Sequence, residues 1–278
     1  MENNLVSDQD NILEALKKIN ECSYQISAVV FVVNKQRQVI GTISDGDIRR
    51  YLINGGTLYD NVCNVVHRNF IYIDDVQNYD QIKKAKTSGA PLVPILNKNK
   101  ELVDVLNFKE LRSLLPVDAI IMAGGEGRRL KPYTDKIPKP MLELAEQPII
   151  AHNIDRLLKY GIKNLNISVN HQKDIIKNYI NGHDSYKNLD ISFIEEDKPL
   201  GTIGSVKLTQ NLKNDTILII NSDILTNIDY ADLYESHKEH NADMTVATFS
   251  VKVDIPYAVL KTEKDRITSF VEKPTYNY

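Results

Sequence analysis

The sequence predicts an α/β chain in two parts: a doubly wound parallel sheet from residue 117 onward, and before it an α+β region made of two similar units. Three observations carry this reading. After Pro116, short apolar runs alternate with amphipathic stretches, the signature of strands and helices laid out as a parallel sheet. Before it, a helix-strand-strand-helix order occurs twice, which points to internal duplication. Between the two parts, Leu115-Pro116-Val117 separates a helix-like stretch from the apolar strand 119–122. The chain has 278 residues, 42% of them hydrophobic, enough for more than one packed core and unlike a disordered composition.

Taken in order, the first unit contains a helix at Asn11–Ile19, strands at Ala28–Val33 and Val39–Ser44, and a closing helix at Asp47–Leu52. The second contains a helix at Tyr79–Lys86, strands at Leu92–Leu96 and Leu102–Leu106, and a closing helix at Lys109–Leu115. The third region opens with strand Ala119–Met122 and a glycine-rich loop. Helix Ile149–Tyr160 follows, with Gly161 as its cap, then strand Leu165–Val169 and helix Lys173–Ile180 with Gly182 as its cap. Strands Ile191–Glu195 and Ile217–Ile220 continue the alternation. The domain boundaries expected are therefore 1–56, 57–116 and 117–278. In such a sheet ligands bind at the carboxyl ends of the strands, where the motifs below fall.

Lys and Arg number 34 against 37 Asp and Glu, a net charge of −3 with no long run of one sign. That balance argues against a nucleic-acid partner and against an anionic membrane surface. No secretory leader or long apolar span is visible, so a reduced, cytoplasmic protein is expected. Cys22 and Cys63 lack C-x-x-C spacing, and each reads as a small buried hydrophobe rather than a reactive group.

The chemistry concentrates in Ala123-Gly124-Gly125-Glu126-Gly127-Arg128-Arg129-Leu130, then Lys131-Pro132-Tyr133-Thr134 and Pro138-Lys139-Pro140-Met141-Leu142. Three glycines directly after a strand let backbone amides approach a polyphosphate, and Arg128, Arg129 and Lys139 add the positive field. No Gly-Lys-Ser/Thr is present and Gly-x-Gly-x-x-Gly is not satisfied, so this is neither a P-loop nor a dinucleotide fingerprint. On the loop alone, a plain strand-to-helix connection is the competing reading.

The string resembles the N-terminal signature of the sugar-1-phosphate nucleotidyltransferase family, Gly-Gly-x-Gly-x-Arg-Leu followed by Pro-Lys-Pro, and the likeness runs from Asp118 nearly to the end of the chain. It implies a Rossmann-like, GT-A-like domain in which Ala123, Gly124, Gly125, Gly127 and Arg128 or Arg129 hold the phosphates of a nucleoside triphosphate. Lys139 would stabilise charge at the reacting centre. Leu200-Gly201-Thr202-Ile203-Gly204-Ser205 is similar to the family's Leu-Gly-Thr-Ala-Gly segment, which places Gly201 and Thr202 near the base, with Ile203 in the usual alanine position. Asn221-Ser222-Asp223 resembles Asn-Gly-Asp, making Asp223 the carboxylate for Mg²⁺; without this company it would read as a turn or helix cap. Val271-Glu272-Lys273-Pro274 resembles the motif whose glutamate meets sugar hydroxyls and whose lysine meets the sugar phosphate. Tyr257-Ala258-Val259 stands where the family has Tyr-Gly-Val. His171, just past a strand, reads either as a surface residue or as a neighbour of the base.

The resemblance further implies a second metal-binding aspartate from a strand well beyond Glu-Lys-Pro; because the sequence stops at Tyr278, the domain is expected to be C-terminally incomplete. Gly41-Thr42-Ile43-Ser44-Asp45-Gly46-Asp47 and the helix after it look like the closing part of a CBS motif. Such motifs work in pairs and often bind adenosine nucleotides, with Thr42, Ser44 and Asp47 as the residues matching the ribose-holding pattern. Asp47 equally fits an ordinary helix N-terminus. The second unit lacks the glycine and has Glu110 in place of Asp47. Pairing or dimerisation is a sufficient role for both units, and a homo-oligomer is expected.

The reaction implied joins a sugar 1-phosphate to a nucleoside triphosphate and releases pyrophosphate. The fusion of a CBS pair to this domain resembles bacterial guanylyltransferases acting on glucosamine 1-phosphate in legionaminic acid-type pathways, so GTP is the favoured nucleotide. UTP, CTP and dTTP stay open, as do mannose and glucose 1-phosphate. From other classes, a non-catalytic nucleotide-sensing subunit is the alternative, and an interaction module would account only for residues 1–115.

Overall fold

The computed structural model describes residues 4–22, 29–196, 200–201 and 203–277. It forms two compact units, residues 1–226 and 227–278. The first begins with β1 (Leu5–Ser7), α1 (Ile12–Cys22), β2 (Val29–Val33), β3 (Val39–Ser44) and α2 (Asp45–Ile53). After a long connection come α3 (Tyr79–Thr87), β4 (Leu92–Leu96) and β5 (Leu102–Asn107). β1 lies parallel to β2 and β2 antiparallel to β3, while β4 and β5 form an antiparallel pair.

The duplication is legible in the two hairpin turns. In Asn34-Lys35-Gln36-Arg37-Gln38 the Asn34 carboxamide oxygen accepts from the amides of Gln36 (3.0 Å) and Gln38 (2.9 Å), and Arg37 takes φ 63°. In Asn97-Lys98-Asn99-Lys100-Glu101 the Asn97 oxygen accepts from Asn99 and Glu101, both at 2.9 Å, and Lys100 also takes φ 63°. The turns then bond to each other, Val39 N–H to the Lys100 carbonyl at 2.9 Å and the Gln38 amide to the Asn99 carbonyl at 3.0 Å. A cluster of Phe31, Val39, Leu92 and Leu96 seals the contact between the repeats. Each repeat also has its own core, Ile12, Ile43 and Ile48 in one and Ile73, Ile82 and Val93 in the other.

The third region contributes β6 (Val117–Met122), β7 (Glu143–Leu144), β8 (Gln147–Pro148), α4 (Ile149–Leu158), β9 (Asn164–Val169), α5 (Lys173–Gly182), β10 (Asp190–Glu195) and β11 (Thr216–Asn221). Four strands form a parallel sheet in the order β10-β9-β6-β11. β6 and β9 are central, and their Ala119, Ile120, Ile121, Leu165, Ile167 and Val169 are fully buried, as a strand covered on both faces requires. The order reverses at β6, so a crevice opens between the carboxyl ends of β6 and β11.

At the opposite end, the buried Asp118 carboxylate ties the sheet together. It accepts from the Asn164 and Asn214 side chains (2.8 and 2.7 Å) and from the Lys213 and Asn214 amides (2.5 and 2.9 Å). A buried carboxylate requires this degree of hydrogen bonding.

The closing helix expected at Lys109–Leu115 is a turn followed by extended chain. Its amides bond outside the segment: Arg112 and Ser113 to the Lys159 carbonyl (2.5 and 3.4 Å) and Leu115 to Tyr160 (2.9 Å). Tertiary acceptors at the end of α4 thus replace the intrahelical ones. The C-cap of α4 is Lys159; Gly161, the expected cap, follows two residues later at φ 71° with its N–H on the Leu158 carbonyl at 2.9 Å, and a Cβ there would lie 2.4 Å from Leu114 Cδ1. Gly182, in contrast, lies within α5, whose cap is His183. No helix among the described residues is long and apolar enough to cross a membrane. Cys63 is half-buried with its thiol 3.5 Å from the Asp8 carbonyl, so full burial is not realised; the Cys22 side chain lies outside the described portion.

The second unit holds α6 (Tyr230–Glu239), capped by the Asp229 carboxylate on Ala231 N–H at 2.8 Å. It continues with β12 (Lys252–Asp254), β13 (Val259–Glu263), β14 (Arg266–Val271) and β15 (Thr275–Asn277). β12 pairs with β15 and β13 with β14, both antiparallel.

Candidate active site

The carboxyl ends of β6, β9 and β11 enclose a cavity of about 610 Å³. Its wall includes Gly124, Gly125, Gly127, Arg128, Lys139, Gly201 and Asp223, so seven of the residues singled out in the sequence meet in one place. Ala123, 2% exposed, is the last buried position before the loop, its amide bonded to the Ser168 carbonyl at 2.9 Å. Arg129 lines a smaller adjoining cavity of about 260 Å³ with Gly127, Arg128 and Lys139. Thr202 lies outside the described residues.

The loop's shape follows from its residue types. Gly127 takes φ 63°, and a Cβ there would stand 2.9 Å from Thr134 Cγ2 and 3.1 Å from Lys139 Cβ. Glycine therefore satisfies both the left-handed backbone and the close approach of the lysine. The buried Thr134 hydroxyl donates to the Gly127 carbonyl at 3.0 Å, clamping the loop to the segment that leads to Lys139. Lys139 itself sits in a short 3-10 turn, Lys139–Met141.

Two ion pairs set the electrostatics. Lys139 Nζ pairs with Asp223 Oδ2, joining the Pro-Lys-Pro turn to the end of β11 across 84 positions of sequence. Both side chains are about one-third exposed, 35% and 30%, so the pair borders the cavity without being sealed from water. Arg128 binds Glu126 through two hydrogen bonds, Nε to Oε2 at 2.5 Å and Nη2 to Oε1 at 3.2 Å. That hydrogen bond and charge hold the Glu126 carboxyl below the usual carboxylate range and raise the Arg128 guanidinium.

The turn carrying Asp223 is held from below. Ser222 N–H donates to the Met122 carbonyl at 3.0 Å, and the Ser222 carbonyl accepts from the buried Asn153 amide of α4, also at 3.0 Å.

Two wall residues lie outside every strand and motif named in the sequence reading: Asn170 and Glu196. Glu196 is the more informative. Its Oε1 accepts from the Ser168 hydroxyl at 2.7 Å and its Oε2 from the Leu200 amide at 3.1 Å, which fixes a carboxylate in the wall. The neighbouring Glu195 points elsewhere, to Lys173 and Lys177, whose hydrogen bonds hold its carboxyl down at about 2. Period-2 alternation past β10 is the signal that would have separated the two. His171, open to two readings, lines the cavity.

Among the described residues no group of three or more Asp, Glu, His or Cys side chains gathers to hold a metal ion. Asp223 offers one carboxylate, with Asn221 and Ser222 beside it in the wall. Glu272 and Lys273 belong to the second unit, where both are exposed at the turn between β14 and β15 and Lys273 takes φ 44°.

The other predicted nucleotide site is built differently. Ser44 is the N-cap of α2 and Asp47 its third residue, forming a capping box: Asp47 Oδ2 accepts from Ser44 N–H (2.8 Å) and Ser44 O–H (2.5 Å), and Asp47 N–H donates to Ser44 Oγ (3.2 Å). Asp47 Oδ1 pairs with Arg50. Partial burial pushes the Asp47 carboxyl up, but the Ser44 and Arg50 bonds outweigh it and leave it below its ordinary value. Thr42 exchanges backbone hydrogen bonds with His67 at 3.1 and 2.9 Å.

The sequence profile described as nucleotidyl transferase matches residues 118–277, and that of the CBS domain matches residues 5–54. A mannose-1-phosphate guanylyltransferase catalytic subunit beta from Dictyostelium discoideum is 36% identical over 160 residues, covering 56% of this chain and 45% of that protein. A mannose-1-phosphate guanyltransferase from Yarrowia lipolytica is 34% identical over 160 residues, covering 56% and 44%. The crystal structure of HddC from Yersinia pseudotuberculosis complexed with GMP-PN is 29% identical with a TM-score of 0.41, covering 58% of this chain and 72% of that one. The chain thus spans about half the length of the curated relatives it matches. With the glycine loop, the lysine turn and the strand-end aspartate all inside residues 118–277, the chain belongs to the nucleotidyl transferase family.

Proposed function

We propose that the chain carries the nucleotide site of a sugar-1-phosphate nucleotidyltransferase that joins GTP to a hexose 1-phosphate. The observation that carries this reading is the cavity wall where the glycine loop, Arg128, Lys139 and Asp223 converge. Both reactants are polyanions, so positioning and positive charge supply most of what the chemistry needs. A sugar phosphate oxygen attacks the α-phosphorus, the bond to the β-phosphate oxygen breaks, and pyrophosphate leaves with the electron pair. The loop amides and Arg128, exchanging Glu126 for phosphate, hold the triphosphate; Arg129, in the adjoining cavity, reaches the leaving group. Lys139 meets the charge that builds at the α-phosphorus. A cation that normally keeps several waters and takes one or two carboxylates plus phosphate oxygens suits the single carboxylate of Asp223, which would hold Mg²⁺. Mg²⁺ when bound supplies Lewis-acid polarisation of phosphate oxygens. Glu272 and Lys273 are the proposed contacts to the sugar phosphate.

Glu196 supports guanine as the base. An ionised carboxylate only accepts hydrogen bonds, and guanine presents adjacent N–H donors on one edge whereas uracil and thymine present one. The guanylyltransferase names of the relatives agree with this choice, and they name mannose 1-phosphate as the sugar. Glucosamine 1-phosphate is the competing substrate. An adenosine nucleotide at Thr42, Ser44 and Asp47 would require Asp47 to leave its capping box; binding of AMP or ATP that disappears in Asp47→Ala supports such a site, and no binding by the unaltered chain removes it.

The test of the whole reading is Mg²⁺-dependent pyrophosphate release from four nucleoside triphosphates against mannose, glucose and glucosamine 1-phosphates. Release with GTP and one sugar phosphate is expected. Tight GTP binding without release from any pair would favour a nucleotide-sensing subunit.

A further inference from the structure

Asn153 occupies the middle of α4, a position where asparagine is a poor helix former and where a buried amide must find partners. It is 2% exposed. Its Nδ2 donates to the Ile149 carbonyl one turn back (3.2 Å) and to the Ser222 carbonyl, 69 positions away in sequence (3.0 Å). Ser222, 4% exposed, immediately precedes Asp223, and its N–H is bonded to Met122 at the end of β6. Both backbone polar groups of the residue before Asp223 are therefore fixed, one by the central strand and one by α4. At its far end α4 is itself braced, since the carbonyls of Lys159 and Tyr160 accept from Arg112, Ser113 and Leu115.

We propose that Asn153 is a positioning residue: through the Ser222 carbonyl it sets where the Asp223 carboxylate stands relative to Lys139 and the phosphate loop. Apolar packing on a buried helix face does not ask for an amide; the hydrogen bond that reaches outside the helix, to Ser222, does. This inference rests on the reading of Asp223 as the Mg²⁺ carboxylate, and the experiment separates the two.

GTP affinity is measured with and without Mg²⁺ for the unaltered chain, Asn153→Leu, Asp223→Asn and the double variant, with thermal unfolding of each. The expected result is that Asn153→Leu loses about tenfold of the Mg²⁺-dependent gain in GTP affinity while metal-free GTP affinity changes less than twofold. In the Asp223→Asn background the leucine substitution is expected to have no further effect, because residues acting through one another are non-additive. Equal loss of metal-free and Mg²⁺-dependent affinity, or an undiminished effect in the Asp223→Asn background, overturns the proposal and leaves Asn153 a packing residue. No Mg²⁺-dependent gain in the unaltered chain overturns the Asp223 assignment, and this inference with it. Should Asn153→Leu fail to fold, Asn153→Ala, which removes the amide without filling the site, carries the same expectations.

Discussion

Asp223 and Asp47 stand in similar places in the sequence, two residues beyond β11 and three beyond β3, and the structure gives them opposite surroundings. The partners of Asp47 are Ser44 and Arg50, each three residues away, and together they use both carboxylate oxygens to start a helix. The side-chain partner of Asp223 is Lys139, brought from a turn far away in sequence, and the pair opens on a cavity lined by Gly124, Gly125 and Gly127. A strand-end aspartate satisfied by its own turn is accounted for by local structure. One whose charge is met, among the described residues, by a distant lysine at the edge of a cavity is not accounted for by its own turn.

The contrast can be broken most forcefully at the cavity. Lys139→Ala is expected to lower pyrophosphate-forming turnover by about 10²–10³-fold, the usual cost of removing one preorganised charge at a reacting centre, measured by coupled pyrophosphate release. Next, Glu196→Gln is expected to reduce the preference for GTP over UTP by about tenfold, since replacing one acceptor by a donor forfeits about 1–2 kcal/mol against the guanine edge; competition binding with the two nucleotides checks it. Ser44→Ala should cost about 1 kcal/mol of stability through the lost cap of α2, read as a lowered urea midpoint, with GTP affinity unchanged.

The smallest effect concerns pH. Asp47 is held below its ordinary value of 3.8, so its ionised form is favoured by folding. Its contribution is complete above that value and disappears as pH falls through the lower folded-state value. The stability difference between the unaltered chain and Asp47→Ala is therefore expected to be constant from pH 7 to 5 and to shrink below about pH 4, measured by urea unfolding across that range.

Much of this arrangement was legible in the sequence because it rests on local pattern. The apolar runs 119–122, 165–169 and 217–220 became β6, β9 and β11, and the glycines after β6 became a loop that lines the cavity. What escaped depends on partners remote in sequence. The helix expected at 109–115 is absent because its amides found the carbonyls of Lys159 and Tyr160. Asn153 falls unnamed inside the helix expected at Ile149–Tyr160, because its partner Ser222 is 69 residues away. Glu196 was hidden behind Glu195 in a pair that looks uniformly solvent-facing, although the strand's alternation sends one to surface lysines and the other to the cavity. The hairpin repeat, Asn34-Lys35 and Asn97-Lys98, was available in the residues themselves and marks the register of the duplication more sharply than the order of helices and strands.

If the site of the non-local ion pair, and not the capping box, binds the triphosphate, the two positions respond differently to substitution. Equilibrium binding of Mg²⁺–GTP to the unaltered chain, Lys139→Ala and Asp47→Ala tests it directly. A loss of about tenfold in Lys139→Ala, the cost of one charge-assisted contact to the bound phosphates, is expected, with less than a twofold change in Asp47→Ala; GTP binding that survives Lys139→Ala and is lost in Asp47→Ala would place the triphosphate at the capping box.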